Sequence, residues 1–81
     1  MAIETLPYLS AVRRMIRAAG RRVGDADEHE LTELIGLRDE LEAAIQTAID
    51  GQRATGRSWA AIAVATGTTR QAAYLRYGRV K

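Results

Sequence analysis

The chain has 81 residues with no cysteine and one histidine, and its formal net charge at neutral pH is +2. This length suits one small domain with a thin hydrophobic core, so we expect compact helical packing or help from a second copy of the chain. The lack of cysteine excludes disulfides and thiolate metal sites, and the single histidine argues against zinc sites and catalytic triads, so we expect no metal and no cofactor.

Strong helix formers dominate the sequence, and no stretch alternates β-branched with polar residues. We therefore predict an all-α fold that forms a single domain over residues 1–81, with a long central helix and a C-terminal helix-turn-helix. The three segments are a basic N-terminal helix and connection (1–24), a long acidic helix (25–55) and the helix-turn-helix (56–81).

The first segment carries five arginines against one glutamate. Thr5 can cap a helix over 6–19 with Pro7 in its first turn, and an apolar stripe follows at spacings of three and four. Gly20 is expected to end this helix, and residues 21–24 then form a basic connection. The arginines form either an auxiliary phosphate-binding patch or a solvated face that pairs with the acidic second helix.

Residues 25–50 contain nine acidic side chains against Arg38. Asp27 followed by Glu30 is a helix-start signal, and a helical apolar repeat then continues to at least Asp50. The helix is predicted over 28–55, because Gly56 is a better stop than Gly51. His29 lies at the solvated start of this helix and is expected to be a surface residue.

The apolar stripe of this helix is wider than one short helix can cover. It can pack only on the other helices of the same chain, or it can also pair two copies through a partly heptad-spaced face. We predict a homodimer through this helix. The expected contact residues are Leu34, Leu37, Leu41 and Ile45.

The last segment contains two short helical patterns, over 58–66 and 69–77, separated by Gly67. The glycine suits the left-handed position that ends a helix, and Ala63, four residues earlier, is small enough for the second helix to cross close above it. Thr68 and Thr69 are both competent N-caps, with Gln71 three residues after Thr68 as in a capping box. This arrangement predicts a helix-turn-helix.

The pattern W-x-x-I-A-x-x-x-G-x-T-R-Q-A-A, from Trp59 to Ala73, resembles the helix-turn-helix DNA-binding segments of small actinobacterial and phage regulators. The resemblance covers about residues 56–78 and implies that the second helix enters the major groove of double-stranded DNA. The base-reading candidates that it implies are Thr69, Arg70, Gln71 and Tyr74. The phosphate-binding candidates are Arg57, Ser58, Thr68, Arg76 and Arg79.

Charge supports a polyanion partner, because residues 51–81 contain five arginines and one lysine but no acid. We therefore predict a sequence-specific DNA-binding protein, a transcriptional regulator that acts as a dimer. The competing class is a protein-interaction module, antitoxin-like or phage-encoded, which holds a protein partner through the acidic helix. Trp59 is either a stacking platform for bases or a core anchor.

No set of residues with catalytic spacing rises above chance, so we do not expect an enzyme. No run of about 18 apolar residues and no signal-peptide layout occur in the sequence. We accordingly predict a cytoplasmic protein without membrane association.

Overall fold

The structure, a computed structural model, describes residues 2–78 and the side chains of residues 4–78. Over these residues the secondary structure consists of four α-helices without a strand, which confirms the all-α prediction. The helices are α1 (Ala2–Gly24), α2 (His29–Ala54), α3 (Trp59–Thr66) and α4 (Arg70–Tyr77). The chain divides into two compact units, one reaching to Asp39 and the other beginning at Glu40.

The first helix is longer than the sequence predicted. It runs from Ala2 to Gly24 instead of over 6–19, so the expected cap at Thr5 and the expected basic connection are both wrong. Pro7 lies inside the helix, where it removes one backbone hydrogen bond from a helix that has just begun. Gly20 costs only about 1 kcal/mol relative to alanine in a helix, and the basic residues of the last turn favour the helix C-terminus.

The second helix agrees with its prediction to within a residue at each end. The backbone N–H of Asp27 donates to the Glu30 carboxylate at 3.4 Å, as the return bond of a capping box does. At the other end, Gly56 takes a left-handed backbone conformation with φ +97°. Its N–H donates to the Arg53 carbonyl and the Arg57 N–H to the Gln52 carbonyl, which is a Schellman ending.

The unit that ends at Asp39 has little core of its own. Val12, Ala19 and Val23 on α1 and Leu34 on α2 are half-buried, and none of the side chains described from Glu4 to Asp39 is fully buried. Large apolar side chains of this unit remain open to solvent. They are Leu6, Tyr8, Leu9, Met15, Ile16, Leu31, Ile35 and Leu37.

The unit that begins at Glu40 contains all the buried side chains found among the described residues, namely Ile49, Ile62, Ala63 and Ala73. A hydrogen bond also ties the end of α4 to α2, because Gln46 Nε2 donates to the Tyr77 carbonyl at 2.9 Å. This carbonyl is in the last turn of α4, where backbone acceptors lack a partner within the helix. The last part of α2 therefore serves as the scaffold for α3 and α4.

Two glycines of this unit should respond in opposite ways to replacement by alanine. A Cβ at Gly78 would lie 2.6 Å from the Tyr74 carbonyl oxygen and 3.1 Å from the Trp59 ring, so we expect Gly78→Ala to destabilise the fold by about 1–2 kcal/mol. Gly51 lies within α2 with no atom within 4 Å of such a Cβ, so Gly51→Ala should stabilise it by about 0.5–1 kcal/mol. Urea unfolding of both variants measures the two shifts, and a shift of the same sign in both would contradict this packing.

Candidate nucleic-acid interface

The turn between α3 and α4 is fixed by its backbone hydrogen bonds. Gly67 has φ +71°, its N–H donates to the Val64 carbonyl, and the Thr68 N–H donates to the Ala63 carbonyl at 3.0 Å. This is a second Schellman ending, and a residue with a Cβ would be strained at Gly67. Thr68 thus completes the end of α3.

The start of α4 is capped by Thr69, whose Oγ1 accepts a hydrogen bond from the Ala72 N–H at 3.1 Å. The expected capping box between Thr68 and Gln71 is therefore wrong, because Thr68 already belongs to the α3 ending. Ala63 and Ala73 are buried at 4% and 0% exposure. Small side chains at these two sites suit two short helices whose backbones approach closely.

The base-reading candidates lie on or beside one face of α4. Arg70 and Tyr74 are one helical turn apart, Gln71 is next to Arg70, and all three side chains are exposed. Within the described part of the chain, the side chains of Arg70 and Gln71 form no hydrogen bond or ion pair with other residues. Thr69 is also exposed, and its hydroxyl can still donate a hydrogen bond while its oxygen serves as the cap.

An aromatic pair lies beside these polar side chains. The rings of Trp59 and Tyr74 pack edge to face with their centroids 5.6 Å apart, and the Arg53 guanidinium lies 5.0 Å from the Trp59 centroid. Trp59 is half-buried, whereas 53% of Tyr74 is exposed, so Tyr74 faces outward. We call the space of about 260 Å³ that Trp59, Arg70, Gln71 and Tyr74 line the aromatic cleft.

The phosphate candidates differ in their surroundings. Arg57 is exposed, and its carbonyl accepts a hydrogen bond from Arg53. Ser58 caps α3 by accepting the Ala61 N–H at 3.1 Å, and Thr68 is exposed at the turn. Arg79 lies outside the described residues.

Arg76 is held in an ion pair. Its guanidinium contacts the Glu42 carboxylate on α2 at 2.9 Å, and this is the one salt bridge formed between residues that the structure describes. The hydrogen bond and the charge of Glu42 raise the pKa of the Arg76 guanidinium. To bind DNA, the Arg76 guanidinium must therefore leave Glu42 for a phosphate, or contact Glu42 and a phosphate at the same time.

The predicted dimer residues are only partly open. Leu34 is half-buried beside Ala19 and Val23, and Ile45 is half-buried in a groove that also contains Ile62. Leu37 and Leu41 are 48% and 53% exposed. The intrachain packing thus covers the two outer members of this set and leaves the two central leucines open.

The arginines of α1 do not pair with the acids of α2 in the described chain. The residues Arg13, Arg14, Arg17, Arg21 and Arg22 are all exposed and take part in no ion pair there. Helical geometry explains this for most of them, since they lie away from the α1 stripe of Val12, Ala19 and Val23 that is half-buried. Their exposure agrees with the alternative of a solvated face, whereas none of the ion pairs described joins them to α2.

One group of side chains comes close enough together to hold a metal ion. Asp27, His29 and Glu30 place ligand atoms within 4.8 Å of one another, and all three are exposed. His29 is thus a surface residue, as predicted. An exposed group of this kind at a helix start is also what helix-dipole stabilisation produces, so we assign it no site.

Over the residues described, no helix combines the length and apolar composition that a membrane crossing requires.

Two contacts of this region have no signal in the sequence. Glu42 and Arg76 are 34 residues apart, and Trp59 meets Tyr74 across the turn. No local spacing rule joins residues that far apart, whereas the exposure of Arg70 and Gln71 follows from helical periodicity alone.

Comparison with protein-family models, with curated protein sequences and with solved structures finds no match to this chain. The resemblance of residues 56–78 to the DNA-binding segments of small regulators therefore stays a prediction.

Proposed function

We propose that this chain binds double-stranded DNA sequence-specifically, as a transcriptional regulator, through a helix-turn-helix formed by α3 and α4. The observation that carries the proposal is the outer face of α4, where Arg70 and Gln71 are exposed with their hydrogen-bonding groups unused in the described chain. Arg70 can bond the O6 and N7 atoms of guanine, and Gln71 can bond the N6 and N7 atoms of adenine. A helix the width of α4 fits the major groove.

Charge gives the same surface its general affinity. No acidic residue occurs between Gly51 and Lys81, so the sequence on both sides of the turn is free of carboxylates that would repel phosphates. Arg57 and Ser58 at the start of α3, with Thr68 at the turn, are the proposed phosphate contacts among the described residues. Arg76 and Arg79 complete the proposed set.

The test is selection of bound duplexes from a random DNA pool, followed by sequencing. We expect enrichment of a short motif that contains guanine and adenine at neighbouring positions, because Arg70 and Gln71 are adjacent. If duplexes were recovered without any enriched motif, the protein would still bind DNA, but the proposal that it binds a specific sequence would be wrong.

We further propose that the protein acts as a homodimer through α2, with Leu37 and Leu41 at the contact and Leu34 and Ile45 at its margins. Support comes from the unit that ends at Asp39, which buries none of its described side chains and exposes eight large apolar ones. A second copy brings the same apolar face and arginines that can meet unpaired acids, so the surface is self-complementary. Dimers that bind two half-sites about one DNA turn apart gain affinity that a single small unit lacks.

A protein-interaction module is the second candidate. The acids of α2 that precede Glu40 are exposed and form no ion pair in the described chain, so a basic protein surface could dock on them. The two candidates separate in one assay, because only the first requires duplex DNA to be bound at about 50 mM salt.

Glu42 should restrain DNA binding through Arg76. Removing the carboxylate in Glu42→Gln frees the Arg76 guanidinium from competition for a phosphate, so we expect tighter binding to all duplexes and a salt dependence steeper by up to about 0.9 in log–log slope. Fluorescence anisotropy across a salt series measures both.

The matched control for this variant is Glu40→Gln. It removes the same charge from an exposed position on the same helix without breaking an ion pair that the structure describes. Equal effects of the two variants would mean that net charge alone acts, and that Arg76 does not reach a phosphate.

A further inference from the structure

The aromatic cleft places an apolar surface directly beside the two side chains that are proposed to read base edges. Arg70 and Gln71 line it together with Trp59 and Tyr74. Neither arginine nor glutamine needs an apolar neighbour in order to bond guanine or adenine. A ligand that uses the whole cleft therefore presents a polar edge and an apolar group side by side.

In the major groove, the apolar group that a base presents next to polar edges is the 5-methyl group of a pyrimidine. Thymine carries this methyl beside its O4 acceptor, and aromatic or other apolar side chains contact it. 5-Methylcytosine carries the same methyl beside an amino donor. The cleft adjoins the start of α3, where Arg57 and Ser58 are the proposed phosphate contacts, and the pyrimidine C5 edge is the part of the base nearest the backbone.

The cleft is held in place before any ligand enters. Tyr74 packs edge to face on Trp59, the Arg53 guanidinium lies over the Trp59 ring, and the Trp59 Cζ2 atom lies against Gly78. These contacts fix the ring within its own unit, so a methyl group entering the cleft meets a surface that does not have to rearrange.

We propose that the aromatic cleft is the seat for a pyrimidine 5-methyl group, and that Trp59 and Tyr74 determine specificity at the base pair next to those contacted by Arg70 and Gln71. This inference rests on the proposed function and adds a residue, Trp59, that the base-reading set lacks. Under this proposal Trp59 is both a core anchor and a contact for DNA, because its ring anchors α3 and also contacts a base substituent.

The test uses the duplex enriched from the random pool, with each thymine in turn replaced by uracil and each cytosine by 5-methylcytosine. Uracil keeps every hydrogen-bonding group of thymine and lacks only the methyl. We expect binding to weaken by about fourfold at one thymine, as the loss of one buried methyl predicts, or to strengthen by about as much at one cytosine on methylation. The first result identifies thymine as the source of the methyl group, and the second identifies 5-methylcytosine.

Two variants in the cleft and one control assign the effect to it. Tyr74→Ala should abolish the discrimination, whereas Leu75→Ala, its exposed neighbour on α4, should leave it unchanged. Trp59→Phe keeps an aromatic surface and should retain part of the discrimination, and circular dichroism confirms that each variant is folded.

Equal binding of thymine and uracil duplexes at every position, together with no effect of cytosine methylation, would overturn the methyl seat while leaving DNA binding intact. Discrimination that survives in folded Tyr74→Ala would overturn it as well. If the wild-type protein bound no duplex at all, the methyl seat and the proposed function would both fail.

Discussion

Leu37→Glu is expected to convert the proposed dimer into a monomer. Leu37 is an exposed apolar residue of the proposed contact, and a symmetric interface loses each replaced side chain twice. Full burial of a leucine contributes about 1.5–3 kcal/mol, and about half of Leu37 is exposed in the single chain, so losing both copies should weaken dimerisation by about 1.5–3 kcal/mol before charge repulsion is counted. Sedimentation equilibrium at micromolar protein measures the shift from dimer to monomer.

Thr32→Glu is the matched control for this variant. It introduces the same charge on the same helix, at an exposed position on the side away from Leu34 and Leu41. We expect it to remain dimeric. A wild-type protein that sediments as a monomer would contradict the dimer, and a dimeric Leu37→Glu would move the contact away from this face of α2.

Arg70→Ala should weaken binding to the preferred duplex by about 1–3 kcal/mol and relax the choice of one base pair. The physical reason is the loss of a paired hydrogen bond to one base, which a different base could not have accepted. Scrambled duplexes should be affected much less. Anisotropy titrations on the preferred and scrambled duplexes measure the two losses separately.

Arg57→Ala is the corresponding control, because Arg57 is proposed to contact a phosphate. It should weaken binding to both duplexes about equally and reduce the salt slope by about 0.9. If Arg70→Ala behaved in this way instead, Arg70 would be a phosphate contact and the groove-facing side of α4 would be rotated. Gln71→Ala, which should relax the choice of a neighbouring base pair, would then show which face of α4 contacts the bases.

Much of the fold could be predicted from local chemistry. The bounds of α2, α3 and α4 agree with the sequence to within a residue, since Ser58 and Thr69 cap helices and Gly56 and Gly67 end them with left-handed backbones. These signals act over three or four residues, so they can be recognised without knowing the tertiary structure.

The predictions were wrong where a local signal for a helix end or cap was weaker than the effect of neighbouring residues. The helix predicted over 6–19 begins one residue before Pro7 and stops at Gly20, but a cost of about 1 kcal/mol, or one lost hydrogen bond near a helix start, does not stop a helix that other residues favour. Thr68 and Thr69 both suit the N-cap of α4. The Thr68 N–H takes part in the second Schellman ending, so Thr69 is the cap.

The face of α4 that carries the candidate site could be predicted from the sequence, whereas the contacts of this site could not. Exposure of Arg70, Gln71 and Tyr74 follows from the period of α4, once its start is known. The Arg76–Glu42 ion pair and the aromatic cleft depend on how α3 and α4 pack within their unit, which no spacing in the sequence encodes.

The most direct measurement is the salt dependence of binding to a duplex of random sequence, with the full chain and a fluorescent DNA. We expect clear binding at about 50 mM salt and a loss of affinity as salt rises, with a log–log slope of roughly −2 to −3 for each protomer. This slope corresponds to two or three phosphate contacts made by basic side chains. A folded protein that binds no duplex at about 50 mM salt would contradict DNA binding and would favour a protein partner on the acidic helix.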